Sequence, residues 1–127
     1  MSFLLDTQVF LWFEFGSTRL AESARDHILR TERTVYVSAI SFWEIAIKRR
    51  AGKLAYDGSP RAAASDAGFV ELSIDAADAE LAGGFEWSHR DPFDRMLVAH
   101  CFNRDLILVT ADASLRARDD IAVMWAG

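Results

Sequence analysis

The sequence predicts an α/β fold, a three-layer α/β/α sandwich whose central sheet is mainly parallel. Short apolar runs alternate along the chain with segments that carry apolar residues at helical spacing, which is the pattern of strand–helix–strand units. Two of the runs, Phe3-Leu4-Leu5 and Leu106-Ile107-Leu108-Val109, contain no polar residue, as is typical of strands buried on both faces. A chain of 127 residues suits one domain and is too short for two ordinary ones, so we expect a single domain over residues 1–127.

In the N-terminal half, apolar runs indicate the strands and glycine residues indicate the ends of helices. Gly16, Gly52 and Gly68 each follow a helical stretch, and glycine is the residue that most often ends a helix. We therefore expect a strand over residues 3–5, helices over 7–14 and 20–33, a strand over 35–37, and helices over 38–51 and 61–67.

In the C-terminal half, the clearest signal is the start of a helix at Asp91-Pro92. Aspartate suits the N-cap position, and proline suits the first helical position, where its missing N–H costs nothing. Gly83-Gly84 ends the preceding helix. We expect a strand over residues 69–74, helices over 75–81 and 91–104, a strand over 106–109, a short helix over 114–118 and a last strand over 121–125.

Composition and charge limit the class of protein. Hydrophobic residues make up 51% of the chain and charged residues 26%, which is typical of a soluble globular domain. No apolar run reaches membrane-spanning length, the N-terminus lacks the pattern of a signal peptide, and Cys101 has no second cysteine to pair with, so we expect a cytoplasmic protein. The net charge of −5 argues weakly against nucleic-acid binding, but divalent cations held by clustered acids would cancel most of it.

An acidic residue follows each of the two most apolar strands. Asp6 comes directly after residues 3–5, and Asp112 comes three residues after Val109. Ligands of open α/β sheets bind beyond the carboxyl ends of the strands, so both carboxylates are placed for a binding site. The alternative is that each aspartate only starts the next helix, which is common for this residue.

Glu44 is an acid within an apolar helix face, since Ile40 and Ile47 flank it at helical spacing. Ser41 lies three residues earlier, at the spacing of a capping box, which would give Glu44 a purely structural role. A carboxylate buried on that face needs a partner, and Lys48 is the first basic residue available on it. A metal ion would also satisfy it.

Asp94 is the fourth acid placed to face one end of the sheet. It falls in the first turn of the helix over 91–104, where the helix dipole favours negative charge. Four carboxylates in one cleft would repel each other and raise each other's pKa unless a cation held them. Oxygen ligands favour hard ions, so Mg²⁺ is expected and Mn²⁺ is possible, and such sites act on phosphate-bearing substrates.

Four blocks of the chain, in this order, resemble the PIN-domain ribonucleases and, within them, the VapC toxins of bacterial toxin–antitoxin pairs. The similarity covers nearly the whole chain, and the third block is the most specific. The blocks are Leu4-Leu5-Asp6-Thr7 with Leu11-Trp12; Val37-Ser38 with Ser41-Phe42-Trp43-Glu44-Ile45-Ala46-Ile47-Lys48 and Gly52-Lys53-Leu54; His89-Arg90-Asp91-Pro92-Phe93-Asp94-Arg95-Met96-Leu97; and Leu108-Val109-Thr110-Ala111-Asp112.

This resemblance implies a metal-dependent endonuclease that cleaves RNA through an acidic quartet. Its catalytic residues would be Asp6, Glu44, Asp94 and Asp112. Asp6 and Asp94 would hold Mg²⁺ most directly, Asp112 would support that metal or a second one, and Glu44 would position or deprotonate water. Supporting roles fall to Thr7 and Thr110 as hydrogen-bond donors and to Asp91 as a helix cap behind the ligands. Ala111 departs from the family, where a larger polar residue is frequent.

The resemblance also implies partners, namely an RNA substrate, a cognate antitoxin and a second copy in a homodimer. The antitoxin would lie along the helix over 7–14 and Trp43. Residues 9–15 carry more apolar side chains than one core face requires, which indicates either an interface or burial between the sheet and a neighbouring helix. Candidate phosphate contacts are Arg49, Arg50, Lys53 and Arg95, although a solvated charged surface is the favoured interpretation for most of them.

Two other classes of protein share some of these features. One is an inactive relative that only binds a partner, and the completeness of the quartet disfavours it. The other is a phosphoacceptor signalling domain, which needs paired acids at one strand end and a nearby lysine. Here Asp6 stands alone after its strand and no lysine follows Thr110.

Overall fold

The computed structural model of the chain describes residues 1–127 and contains five strands and seven helices. The strands are β1 (Phe3–Leu5), β2 (Val35–Ser38), β3 (Val70–Leu72), β4 (Ile107–Thr110) and β5 (Ala122–Trp125). The helices are α1 (Thr7–Phe15), α2 (Glu22–Arg30), α3 (Ala39–Arg50), α4 (Pro60–Asp66), α5 (Ala76–Gly84), α6 (Pro92–Arg104) and α7 (Ala113–Arg116). All predicted elements are present, although Gly83 and Gly84 form the last turn of α5 instead of ending it earlier. None of the helices is both long and apolar enough to cross a membrane.

The sheet has the strand order β3-β2-β1-β4-β5, and every pairing in it is parallel. The predicted α/β class with a mainly parallel sheet is therefore confirmed. β1 lies at the centre, where Phe3 pairs with Val35 of β2 and with Ile107 of β4. Because the strands run in one direction, the residues that follow β1, β2 and β4 all emerge at the same edge of the sheet.

Two hydrophobic cores cover the two faces of the sheet. Successive side chains of a strand point to opposite faces, so Leu5 belongs to the core under α1 and α2, whereas Leu4 belongs to the core under α6. Each of these two leucines is fully buried. The arrangement is the predicted three-layer sandwich.

Helix α1 is mostly a core helix. Val9, Phe10 and Leu11 are buried, and Trp12 and Phe13 pack at the margin of the same core. Burial therefore explains most of the apolar surplus of this helix. Phe15 remains 54% exposed at its C-terminal end, where Gly16 adopts a left-handed conformation with φ of 62° and ends the helix.

A buried polar network ties the start of α3 to α5 and α6. Ser38, His100 and Asp78 have no exposed surface. His100 Nε2 lies 2.7 Å from Ser38 Oγ, and His100 Nδ1 lies 3.2 Å from Asp78 Oδ2. Arg104 donates two hydrogen bonds to the same Asp78 carboxylate. The order of groups is that of a Ser–His–Asp array, but no substrate can reach it, so its role is to fix α3 against α6.

Asp78→Ala should destabilise the fold strongly, because it leaves the charge of Arg104 without its buried partner and breaks the capping box with Asp75. We expect the free energy of unfolding in urea to fall by about 3 kcal/mol. Glu80→Ala, at an exposed position of the same helix, is the matched control and should have little effect. Equal unfolding midpoints for the two variants would contradict a structural role of the network.

The contribution of Asp78 also depends on pH. Burial raises its pKa, but hydrogen bonds from Arg104 and Asn103 outweigh burial and hold the pKa below the ordinary value of 3.8. A carboxyl with a lowered folded-state pKa stabilises the fold above its unfolded pKa and loses that contribution as the pH falls. The difference between wild type and Asp78→Ala should therefore shrink below about pH 4.

Candidate acidic site at the carboxyl edge of the sheet

A cavity of about 400 Å³ opens where β1 and β4 end. It collects all four acids of the predicted quartet, together with Asp91, from the starts of α1, α6 and α7 and from the middle of α3. Its lining residues are Asp6, Thr7, Gln8, Trp12, Glu44, Lys48, Asp91, Asp94, Ala111 and Asp112. Lys48 is the one basic residue among them.

Asp6 is the most constrained of these acids. It is the N-cap of α1, and its Oδ1 accepts a hydrogen bond of 2.7 Å from the backbone N–H of Val9. Its Oδ2 accepts from the hydroxyl of Thr110 at the end of β4. The pKa of Asp6 is raised from 3.8 to about 7, mainly by burial; the two hydrogen bonds oppose this shift, and the charges of Asp94 and Asp112 add to it.

Asp94 lies in the first turn of α6 and projects into the cavity. Asp91 caps this helix, as predicted, because its Oδ1 accepts from the backbone N–H groups of Phe93 and Asp94. Asp94 Oδ2 lies 2.8 Å from Nε2 of His89. Burial raises the pKa of Asp94 to about 6; the hydrogen bond from His89 opposes this, and the charges of Asp91 and Asp112 reinforce it.

Asp112 is coupled to Asp6 through Thr110. The Thr110 hydroxyl donates to Asp6 and accepts a hydrogen bond of 3.0 Å from the backbone N–H of Asp112. Asp112 itself caps α7, and its Oδ1 accepts from the backbone N–H and the hydroxyl of Ser114. Burial raises the pKa of Asp112, but these hydrogen bonds outweigh it and the net shift is downward. Thr110 therefore connects the two acids that follow β1 and β4 through one hydroxyl group.

Glu44 is placed by α3, but not in the way a capping box would place it. Ser38 caps α3, and Ser41 lies inside the helix, where its hydroxyl accepts from Thr7. The capping-box interpretation is therefore wrong, and Thr7 binds Ser41 and not an acid of the cavity. Glu44 is only 7% exposed, and its Oε2 accepts from the Lys48 ammonium group at 2.5 Å. Lys48 supplies the partner that a buried carboxylate requires.

The donor set fits a hard divalent cation, although the side chains do not yet converge on one point. Glu44 and Asp94 each use one oxygen in a hydrogen bond and leave the other free. No three acidic, histidine or cysteine side chains stand close enough together to hold a metal ion as they are placed. Binding a cation therefore requires some of the side chains that already line the cavity to move closer together.

Sequence reasoning missed one neighbour of the cavity, His89, but had already named Lys48 as a partner for Glu44. Lys48 lies four residues after Glu44, a spacing that brings side chains together on a helix and that already pointed to an ion pair. His89 contacts Asp94 from a segment without helix or strand, so no periodic pattern could indicate the contact.

The structure argues against one of the four candidate phosphate contacts. Arg95 is not free to bind phosphate, because its guanidinium group donates to backbone carbonyl oxygens of residues 82, 85, 87 and 89. Arg49 is exposed and donates through Nη1 alone to the carbonyl oxygens of Tyr56 and Gly58, so it stays a candidate. Arg50 and Lys53 are exposed, and neither lines the cavity.

Comparison with known proteins identifies the fold. A profile of the PIN domain family matches residues 3–121. No curated protein sequence matches the chain.

Solved structures of similar fold include three toxin–antitoxin complexes. A chain of VapBC2 from Rickettsia felis, bound to a DNA fragment from its promoter, superposes with a TM-score of 0.74 at 12% identity, covering 100% of both chains. A chain of DNA-bound VapBC from Salmonella typhimurium gives 0.68 at 19% identity, covering 98% of each. A chain of VapBC-5 from Mycobacterium tuberculosis gives 0.59 at 22% identity, covering 98% of this chain and 97% of that one.

Asp94→Asn should stabilise the protein in metal-free buffer above pH 6 and have little effect near pH 4. A carboxyl whose pKa rises from 3.8 to about 6 on folding binds more protons in the folded state, so stability falls as the pH rises between these values. Asparagine removes this titration and keeps an oxygen that accepts from His89. We expect the melting temperature, measured in EDTA at about pH 8, to rise by several degrees. The same shift at both pH values would mean that the charge is not the cause.

Proposed function

The chain belongs to the PIN domain family, a family of nucleases, and on this premise we propose that it is a metal-dependent endoribonuclease that acts as the toxin of a toxin–antitoxin pair. The observation that carries the proposal is the convergence of Asp6, Glu44, Asp94 and Asp112 on one cavity. Burial raises the pKa of both Asp6 and Asp94, which is what a site built to hold a cation would show without one.

The acids divide into metal ligands and a water-positioning group. Asp6 and Asp94 are the proposed direct ligands, and Asp112 supports the metal or a second one. Mg²⁺ is the proposed ion, with Mn²⁺ as an alternative, because all four donors are carboxylate oxygens. Such an ion, when bound, activates water and stabilises the leaving oxygen of a phosphodiester.

Glu44 is proposed to position or deprotonate water, and Lys48 to hold the Glu44 carboxylate through their ion pair. Glu44 lines the cavity and has one carboxylate oxygen without a hydrogen bond, which can orient a water molecule or accept its proton. Thr110 keeps Asp6 in one orientation, and Asp91 holds the first turn of α6 in place.

The proposed antitoxin partner is supported by exposed apolar side chains beside the cavity. Trp43 is 59% exposed and Ile47, one turn later on α3, is 42% exposed. The Trp43 ring packs edge to face against the ring of Phe93 in α6, with 5.6 Å between the ring centroids. This contact continues the apolar surface towards Asp94. The similar solved structures are of toxin–antitoxin complexes. A homodimer is proposed from the same family resemblance.

Asp94→Asn should remove divalent-ion-dependent cleavage of RNA and relieve the growth arrest caused by producing the wild-type chain alone. Losing a metal ligand should lower the cleavage rate by about a hundredfold or more. Asp105→Asn is the matched control, since Asp105 is exposed at the other end of α6 in a left-handed conformation that asparagine tolerates. Wild-type rates in Asp94→Asn would refute the proposed metal site.

Trp43→Ala should weaken binding of the proposed antitoxin in a pull-down, and should leave RNA cleavage close to wild type. Removing an exposed aromatic anchor of an interface typically costs 1 kcal/mol or more, which is about a fivefold or larger rise in Kd. Phe102→Ala, at a similarly exposed position on α6, is the control. If cleavage fell more than capture, the surface around Trp43 would belong to the RNA and not to a protein partner.

A further inference from the structure

His89 does not line the acidic cavity, but its side chain contacts Asp94, which does. Its Nε2 lies 2.8 Å from Asp94 Oδ2, and the two side chains are 23% and 18% exposed. An ionised carboxylate can only accept, so Nε2 carries the proton of this hydrogen bond. Asp94 Oδ1, in contrast, accepts no hydrogen bond from the protein.

The backbone around His89 is unusually well fixed for a segment without helix or strand. The Arg95 guanidinium group, one turn into α6, donates four hydrogen bonds of 2.7–3.0 Å to backbone carbonyl oxygens. One of these acceptors is the carbonyl oxygen of His89 itself, at 3.0 Å. The segment between α5 and α6 is thus held by the same helix that carries Asp94.

The imidazole ring is fixed as well. It stacks on the indole of Trp87 with a centroid distance of 4.6 Å and an interplanar angle of 25°. The Arg118 guanidinium group lies 4.5 Å from the centroid of the same indole. Separate contacts therefore fix the backbone, the ring plane and the hydrogen bond of His89. A loop that only connects two helices does not need its side chain to be held in this way.

We propose that His89 is a positioning residue that fixes the orientation of the Asp94 carboxylate, so that Oδ1 is presented to the metal ion. This inference rests on the proposed nuclease function. Partners behind a metal ligand set its orientation, and their removal typically lowers metal affinity 10- to 100-fold. The role is specific to Asp94, because Asp6 is instead held by Val9 and Thr110. His89 is the only residue that donates a hydrogen bond to the Asp94 carboxylate, so its removal leaves that carboxylate without a hydrogen-bonded partner in the protein.

Mn²⁺ binding to the RNA-free protein, measured by isothermal titration calorimetry, tests this role without any reaction. His89→Phe keeps an aromatic ring to stack on Trp87 but loses the donor, whereas His89→Gln keeps an N–H donor of similar reach. We expect His89→Phe to raise the Kd for Mn²⁺ about tenfold and His89→Gln to stay within about threefold of wild type. RNA cleavage should follow the same order. The control is His27→Phe, since the His27 ring packs against Phe3 away from the cavity.

Three results would count against the inference. If His89→Phe binds Mn²⁺ as wild type does, His89 does not position a ligand. If His89→Gln is as weak as His89→Phe while both melt like wild type, the hydrogen bond is not the reason. If wild type itself neither binds Mn²⁺ nor cleaves RNA, the proposed function fails and the inference with it. The first result, in contrast, would overturn the inference about His89 and leave the proposed function standing.

Discussion

Burial of the Asp6 carboxylate at the end of the central strand is the constraint on which the rest of the site depends. Asp6 follows β1, starts α1 through the Val9 N–H, and joins β4 through the Thr110 hydroxyl. One 5% exposed side chain therefore connects a strand, the helix after it and the neighbouring strand. Because Thr110 also accepts from the Asp112 N–H, the position of the second strand-end acid follows from the first.

The cavity brings several carboxylates together and partly buries them, which destabilises their charged forms. Desolvation raises the pKa of Asp6 to about 7 and that of Asp94 to about 6, and the acids add to each other's shifts. Near neutral pH the folded protein therefore bears an electrostatic penalty that a hydrophobic cavity would avoid. Functional sites commonly break the rules of stable folding in this way, and a bound cation would remove the penalty.

Helix α6 is the second organising element. Its first turn carries Asp94 and the arginine that holds the preceding segment, while its middle contributes His100 to the buried network with Ser38 and Asp78. That network fixes the start of α3, and hence Glu44, against the helix that bears Asp94. Polar contacts thus fix the helices that carry Glu44 and Asp94, and the two hydrophobic cores hold the helix layers against the sheet.

The sequence by itself determined the elements, their order and which acids would share one edge of the sheet. These features depend on local patterns: apolar runs, helix caps such as Asp91, and glycine ends such as Gly16. Parallel pairing then brings strand ends together whatever the details of packing. The family blocks added the roles expected of the four acids, which the fold brings together but does not itself assign.

Only the tertiary structure decided which polar groups are partners. Ser41 has capping-box spacing from Glu44, yet it accepts from Thr7, 34 residues away. Arg95 has the charge of a phosphate ligand, yet its donors are used by backbone carbonyl oxygens in the preceding segment. Thr110 reaches Asp6 across 104 residues. Such contacts depend on how the helices pack against the sheet. The spacing of residues along the chain therefore does not predict which distant side chains will meet.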